Sequence, residues 1–136
     1  MRIRITNETI DQLYGYFDSA EEVGGALFGI KKNQTIEIIA VSMKYGTETS
    51  ITFDRNDLRL FYPPDGMELL GTWHTHPFQI TPSPSFVDYN QWRIWDNKYI
   101  HLILARKSGI FYGYKKFKST YFRPIRRFNG KRRISE

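Results

Sequence analysis

Glu68-Leu69-Leu70-Gly71-Thr72-Trp73-His74-Thr75-His76-Pro77 is the stretch from which the rest of the chain can be read. Its first six residues predict a short buried strand. On a strand, positions i and i+2 share a face. His74 and His76 therefore present two imidazoles side by side, while Trp73 and Thr75 face the other way. Pro77 has no N–H to give to a ladder, so the strand is expected to stop there. Phe78 to Pro84 contains Pro82 and Pro84 and is not a helix. Ser85 then precedes an apolar-rich run, with Asp88 three residues on, a spacing that marks a helix N-terminus. Asp88 is thereby expected in the first turn of a helix running toward Trp95. Two neutral imidazoles and one carboxylate are three protein ligands. Zinc takes four, so such a site keeps one position for water, as catalytic zinc sites do and structural ones do not. Each part alone has a plainer reading: a His-x-His pair is common, and Ser-x-x-Asp is more often just a capping box.

The conjunction is more specific than its parts. His-x-His-Pro, seven residues, Ser, two residues and Asp make one composite pattern, and it resembles the JAMM motif of the JAB/MPN metallopeptidases. That family also carries an upstream glutamate in the form Glu-x-x-Gly-x-Leu-x-Gly, which Glu22-Val23-Gly24-Gly25-Ala26-Leu27-Phe28-Gly29 matches. The Glu-x-Gly-Gly variant is most similar to small prokaryotic members. The resemblance covers the chain from the first helix through the strand near Ala105.

The 136 residues suit a single domain, 1–136, with enough chain for a core. There is no cysteine, which excludes disulfides, thiol catalysis and Cys-ligated zinc. The first residues lack an apolar signal core, and no run of about 18 apolar residues occurs. A soluble cytoplasmic protein is the expectation, with no membrane partner.

Arg2 to Ile5 alternate as a strand. Ile10, Leu13, Tyr14 and Phe17 fall at helical spacing, predicting an amphipathic helix from about residue 8 to 19, capped from Asn7-Glu8-Thr9. Gly24 to Ile30 reads as a strand closely approached by something, Lys31 to Gln34 as a hairpin turn, and Thr35 to Met43 as the return strand. Glu48 to Phe53 is β-prone. Asp54 to Asp57 caps a short helix that Pro63-Pro64 terminates. Phe86, Tyr89, Trp92 and Trp95 are the expected buried side of the helix after Ser85. Tyr99–Ala105, Ile110–Phe117 and Tyr121–Phe128 read as three closing strands, with Lys107-Ser108-Gly109 a turn. This order predicts an α/β class with a mixed sheet. The resemblance implies an α-β-α sandwich with a curved mixed sheet, of cytidine-deaminase-like type.

The last segment, 106–136, is chemically distinct. It holds eleven basic residues against Glu136 alone, a net of +10, whereas the first 105 residues carry nine basic and thirteen acidic residues, a net of −4. Nucleic-acid binding, an acidic protein partner, or the solvated faces of strands whose aromatics (Phe111, Tyr112, Tyr114, Phe117, Tyr121, Phe122) fill a core all fit this pattern, the last being favoured.

The resemblance implies roles for single residues. His74, His76 and Asp88 would hold Zn2+. Glu22 would be general base and then acid rather than a ligand, with Glu21 its off-motif neighbour. Ser85 would donate to an oxyanion, its rival role being a helix cap. His101, on an apolar strand, reads as packed or surface rather than as a ligand. The implied activity is hydrolysis of an amide or isopeptide bond after the C-terminal glycine of a ubiquitin-like protein, as deconjugation or precursor processing. Relatives of this kind occur beside E1- or E2-like enzymes in antiphage (CBASS) or ubiquitin-like conjugation operons, and others trim sulfur-carrier proteins. A non-catalytic scaffold and a nucleic-acid-binding protein are the alternatives. The sequence does not fix the oligomeric state; a monomer is favoured.

Overall fold

The computed structural model describes residues 2–16, 19–54, 56–105, 108–115, 118–123, 125–126 and 131–135. Strand β1 (Arg2–Thr6) runs straight into helix α1 (Asn7–Gly15), because the Thr6 side chain accepts the Thr9 N–H and caps the helix. The helix is shorter than its periodicity suggests. Its fully buried apolar stripe is only Ile10 and Leu13, and Tyr16 is already the C-cap; Phe17 and Asp18 lie outside the described residues.

Strands β2 (Val23–Lys32) and β3 (Thr35–Val41) form a hairpin whose turn is Asn33-Gln34. Lys31 and Lys32 belong to the strand, not to the turn, since Asn33 at a φ of 57° reverses the chain by itself. The short β4 (Lys44–Tyr45) pairs with Val23 and Gly24. Glu48 to Phe53 forms no strand despite its composition. Thr47 Oγ1 accepts from the N–H groups of Thr49 and Ser50, and the Thr47 N–H donates to the Ser50 carbonyl at 2.8 Å. Such local bonds turn the chain away from a ladder.

Asp57 caps α2 (Leu58–Phe61), which ends before the proline pair. Then come β5 (Glu68–His76), α3 (Phe86–Arg93), β6 (Ile100–Ala105) and β7 (Phe111–Lys115). The expected strand at Tyr121–Phe128 is instead β8 (Lys118–Phe122) and β9 (Ile125–Arg126), with residues 127–128 outside the described residues. A further strand, β10 (Lys131–Ser135), was invisible to patterning because four of its five residues are polar.

The strands form one mixed sheet in the order β8-β7-β6-β5-β2-β3-β1-β10-β9, with β4 beside β2. The pairs β1/β3 and β5/β6 are parallel, and each is bridged by a connection that contains a helix. The two faces of the sheet are covered by different helices. On β6, Ile100, Leu102 and Leu104 join Ile10 and Leu13 of α1 in one core, while Ile103 packs with Trp92 of α3 in another. Ala26 and Phe28 meet Leu60 and Phe61 of α2 together with Trp95. Alternate residues of each strand thus serve opposite layers, giving the expected helix–sheet–helix arrangement. Among the described residues, no helix is long and apolar enough to cross a membrane.

The basic segment sorts partly as expected. Phe111 and Tyr112 are both buried, so β7 is covered on both faces, whereas Tyr121 is exposed.

Close approach of β5 and β6 depends on Gly71. A Cβ there would sit 1.6 Å from the Ile100 carbonyl oxygen. Gly71→Ala is therefore expected to destabilise the fold by about 1–3 kcal/mol or more through forced strand separation. Gly15→Ala, at a helical position with nothing within 4 Å, should be neutral or stabilising by up to about 1 kcal/mol. Urea unfolding of the two variants checks the contrast; equal midpoints would contradict it.

Candidate metal centre

β5 lies between β2 and β6, with hydrogen bonds along both edges. Its alternation works as the sequence predicts. Trp73 points to the α1 layer, stacking on Tyr16 with ring centroids 5.5 Å apart and donating its Nε1–H to the Ser42 carbonyl at 3.0 Å. His74 and His76 point to the other face, and both are buried. Room for His74 comes from Gly24, which is paired with it: a Cβ on Gly24 would lie 2.8 Å from that of His74 and 2.9 Å from the Phe53 ring.

Strand pairing also selects Glu22. Gly24 opposes His74 in the antiparallel register, so two residues back, just before β2, Glu22 comes opposite His76 on the same face. The Val23 N–H donates to Thr75 Oγ1 at 3.0 Å and pins this end of the pair. The Glu22 N–H donates to the Thr47 carbonyl, and its carbonyl accepts from the Gly46 N–H, both at 2.7 Å. Glu22 is buried, while Glu21 is exposed.

Asp88 arrives from the start of α3. Ser85 is the N-cap, its Oγ accepting the Asp88 N–H at 3.1 Å while the Ser85 N–H donates to Asp88 Oδ2 at 2.7 Å. This capping box fixes the carboxylate that faces the histidines. Accepting the Asp88 N–H occupies a lone pair of the Ser85 hydroxyl and leaves its proton available to donate. Of the expected buried side, Trp92 and Trp95 are buried and Phe86 and Tyr89 are not. Asp88 and Trp92, one turn apart, are buried, whereas Phe86 is 77% and Tyr89 42% exposed. Bringing the acid to the histidines rotates those two rings outward.

The donor atoms converge. The two Nε2 atoms are 3.2 Å apart, His74 Nε2 is 3.0 Å from Asp88 Oδ1, and His76 Nε2 is 3.4 Å from Asp88 Oδ2. Four ligands around zinc at bonds of about 2.0–2.1 Å stand about 3.3 Å from one another, so these separations suit a tetrahedral ion. Glu22 is close as well: one carboxylate oxygen and one ring nitrogen of each histidine lie within 4.8 Å of one another. Two overlapping triplets thus share the histidine pair, and the site can hold a metal.

The electrostatics agree. Burial alone would raise the Asp88 pKa, yet the hydrogen bonds with His74 and His76, the charge of His74 and the Ser85 N–H hold it well below the usual carboxylate range. Burial works against a charged His76, but Asp88, Gln79 and Glu22 together push its pKa up. Glu22 is pushed up to about 7, chiefly by burial and in part by Asp88, with His76 opposing. These shifts describe a carboxylate that demands a cation within a pocket whose burial penalises net charge.

A cleft of about 350 Å³ opens beside these groups. Glu48 to Ile51 form one wall, and Pro77 to Gln79 with Ser85 and Val87 form the other. Gln91 of α3 donates to the Ile51 carbonyl at 2.9 Å, and Ser108 Oγ donates to the Ile80 carbonyl, so both walls are tied to the sheet's connections.

A JAB1/MPN domain protein from Archaeoglobus fulgidus superposes with a TM-score of 0.55 at 18% identity, over 85% of this chain and 92% of that one. The chain has the JAB/MPN fold. A protein from Desulfitobacterium hafniense, solved in solution, matches with a TM-score of 0.60 at 18% identity, over 89% and 90% of the two chains. No protein-family model matches the chain, and no curated protein does. Within this JAB/MPN fold the five residues singled out in the sequence, Glu22, His74, His76, Ser85 and Asp88, come together at one end of β5. Two features of the site escaped sequence reading. One is the Glu48–Ile51 wall; the other is Gln79, whose Oε1 lies 2.9 Å from His76 Nδ1.

His101 stands apart from the ligands. It stacks on Trp92 at 5.5 Å and meets the edge of Trp95, and its Nδ1 lies 2.8 Å from Thr72 Oγ1. Burial, helped by the charge of His74, lowers its pKa from 6.5 to about 3. An unfolded chain takes up this proton near pH 6.5, and the native state does not until about pH 3. The stability contributed by the neutral ring is therefore complete above pH 6.5 and is lost progressively as pH falls toward 3. Denaturant unfolding of wild type and His101→Gln across that window should show the wild type losing stability relative to the variant; parallel curves would reject this assignment.

Proposed function

We propose that the protein is a zinc-dependent peptidase or isopeptidase that cleaves after the C-terminal glycine of a ubiquitin-like protein. The observation that carries this reading is the convergence of two histidines, an N-capping aspartate and a strand-paired glutamate on one open cleft of a JAB/MPN fold. His74, His76 and Asp88 would hold the ion, which when bound supplies Lewis acidity and a water acidified to a pKa of about 7.

Glu22 sits where a base is needed: beside the ligand set, at the entry to the next strand, with its backbone locked by Thr47 and Gly46. In this reading it takes a proton from the attacking water and returns it to the leaving amine. The Ser85 hydroxyl, with its lone pair engaged by the Asp88 N–H, directs its proton toward a developing oxyanion. The cleft walls align an extended segment between the Glu48–Ile51 turn and the proline loop. Removal of a conjugated protein and trimming of a precursor are both served by this chemistry.

Glu22→Ala should keep zinc and lose cleavage, by about 10²–10⁴-fold for one general acid–base group. Glu21→Ala, off the face, should match wild type. The assay is hydrolysis of a ubiquitin-like protein fused through its terminal glycine to a reporter, with zinc measured on the same samples. His74→Ala and Asp88→Ala should lose the metal as well as the activity. An active Glu22→Ala beside a dead His76→Ala would place the base elsewhere.

The basic segment is assigned no part in the chemistry. β10 lies four strands from β5, about 19 Å along the sheet. Changing Lys131, Arg132 and Arg133 to Ala together should leave hydrolysis of a small peptide substrate within about twofold of wild type. A loss on the scale of Glu22→Ala would overturn this division.

A further inference from the structure

We infer that Gln79 is a positioning residue that sets the tautomer of His76 and thereby the metal affinity of the centre; this rests on the zinc-centre reading above. The side-chain oxygen of Gln79 lies 2.9 Å from His76 Nδ1. A carbonyl oxygen only accepts, so Nδ1 carries a proton, and a cation can take the Nε2 lone pair in place of the proton that bonds Asp88 in the metal-free site. Nε2 is the nitrogen that faces His74 and Asp88. The ring is thus held in the tautomer that a cation requires, and its orientation is fixed from behind.

The backbone explains why residue 79 can do this. The Gln79 N–H donates to the His76 carbonyl at 3.4 Å, closing a β-turn with Pro77 at its second position. Proline presets the φ of that position. The turn folds the chain back so that the fourth residue meets the ring of the first. The proline that ends β5 therefore also delivers the acceptor.

A merely structural Gln79 would leave zinc affinity untouched, since the side chain is exposed and lies on a loop. The test is competition for zinc between a chromophoric chelator and the metal-stripped full chain, as wild type, Gln79→Ala and Gln79→Glu. Gln79→Ala should bind zinc about 10–100-fold more weakly, the range that loss of an outer-shell partner gives. Gln79→Glu keeps an acceptor oxygen and should restore affinity to wild type or better. Metal-free melting temperatures should be the same for all three. Equal zinc affinity in wild type and Gln79→Ala overturns the inference while leaving the zinc centre intact. A wild type that binds no zinc overturns the centre itself and this inference with it. Should Gln79→Ala fail to fold, ring NMR of zinc-loaded wild type decides: a proton on His76 Nδ1 protected from exchange upholds the assignment, and its absence overturns it.

Discussion

The hydrogen bonding of β5 along both of its edges is the constraint from which the rest of the structure follows. A strand held by β2 on one side and β6 on the other cannot slip by one residue without turning every side chain over. That lock keeps Trp73 in the α1 layer and the two histidines on the face that α3 covers. The same pairing brings Glu22 alongside, and the crossover from β5 to β6 carries α3 over the same face, with Asp88 at its first turn. Close approach is bought with glycine at Gly24 and Gly71, where a methyl group would strike the neighbouring strand.

Four ionisable groups buried together work against folding unless they satisfy one another. Here they do so unevenly. Asp88 is fully engaged, by two imidazoles and two backbone or hydroxyl contacts of its own cap. Glu22 is engaged through its backbone, and its carboxyl responds chiefly to burial. Asp88 thus carries the close contacts of the set while burial dominates at the Glu22 carboxyl, and the apolar cores on both faces of the sheet sustain the local cost of burying the four.

Short-range features were the legible ones. His74, His76, Ser85 and Asp88 are spaced by a strand period, a proline loop and a capping box, each of which acts over a few residues. Glu22 became a candidate only through the resemblance, because what brings it to His76 is strand pairing across 54 positions of chain, and no local period encodes that. The Glu48–Phe53 piece misled for a different reason: its composition suits a strand, but Thr47 satisfies the backbone of the following residues first. The buried side expected for the helix after Ser85 held at Trp92 and Trp95 but failed at Phe86 and Tyr89, because a carboxylate has the prior claim on the inward face of the first turn. Gln79 gave no signal at all, since a glutamine in a loop acquires meaning only once the turn at Pro77 points it at a ring. β10 was missed because a strand that fills its partner's free edge needs no apolar alternation of its own.

The ligands and the cleft walls also belong to parts of the molecule with different persistence. Amides in the middle of a sheet open to hydrogen exchange only in rare, large excursions, whereas turns and loops open in frequent local ones. His74 and His76 ride on a central strand, and Asp88 is fixed by its cap to the adjoining helix. Glu48 to Ile51 and Pro77 to Gln79 lie on connections. Amide exchange is accordingly expected to be faster along the walls than along the strand and capped helix turn that carry the donor atoms.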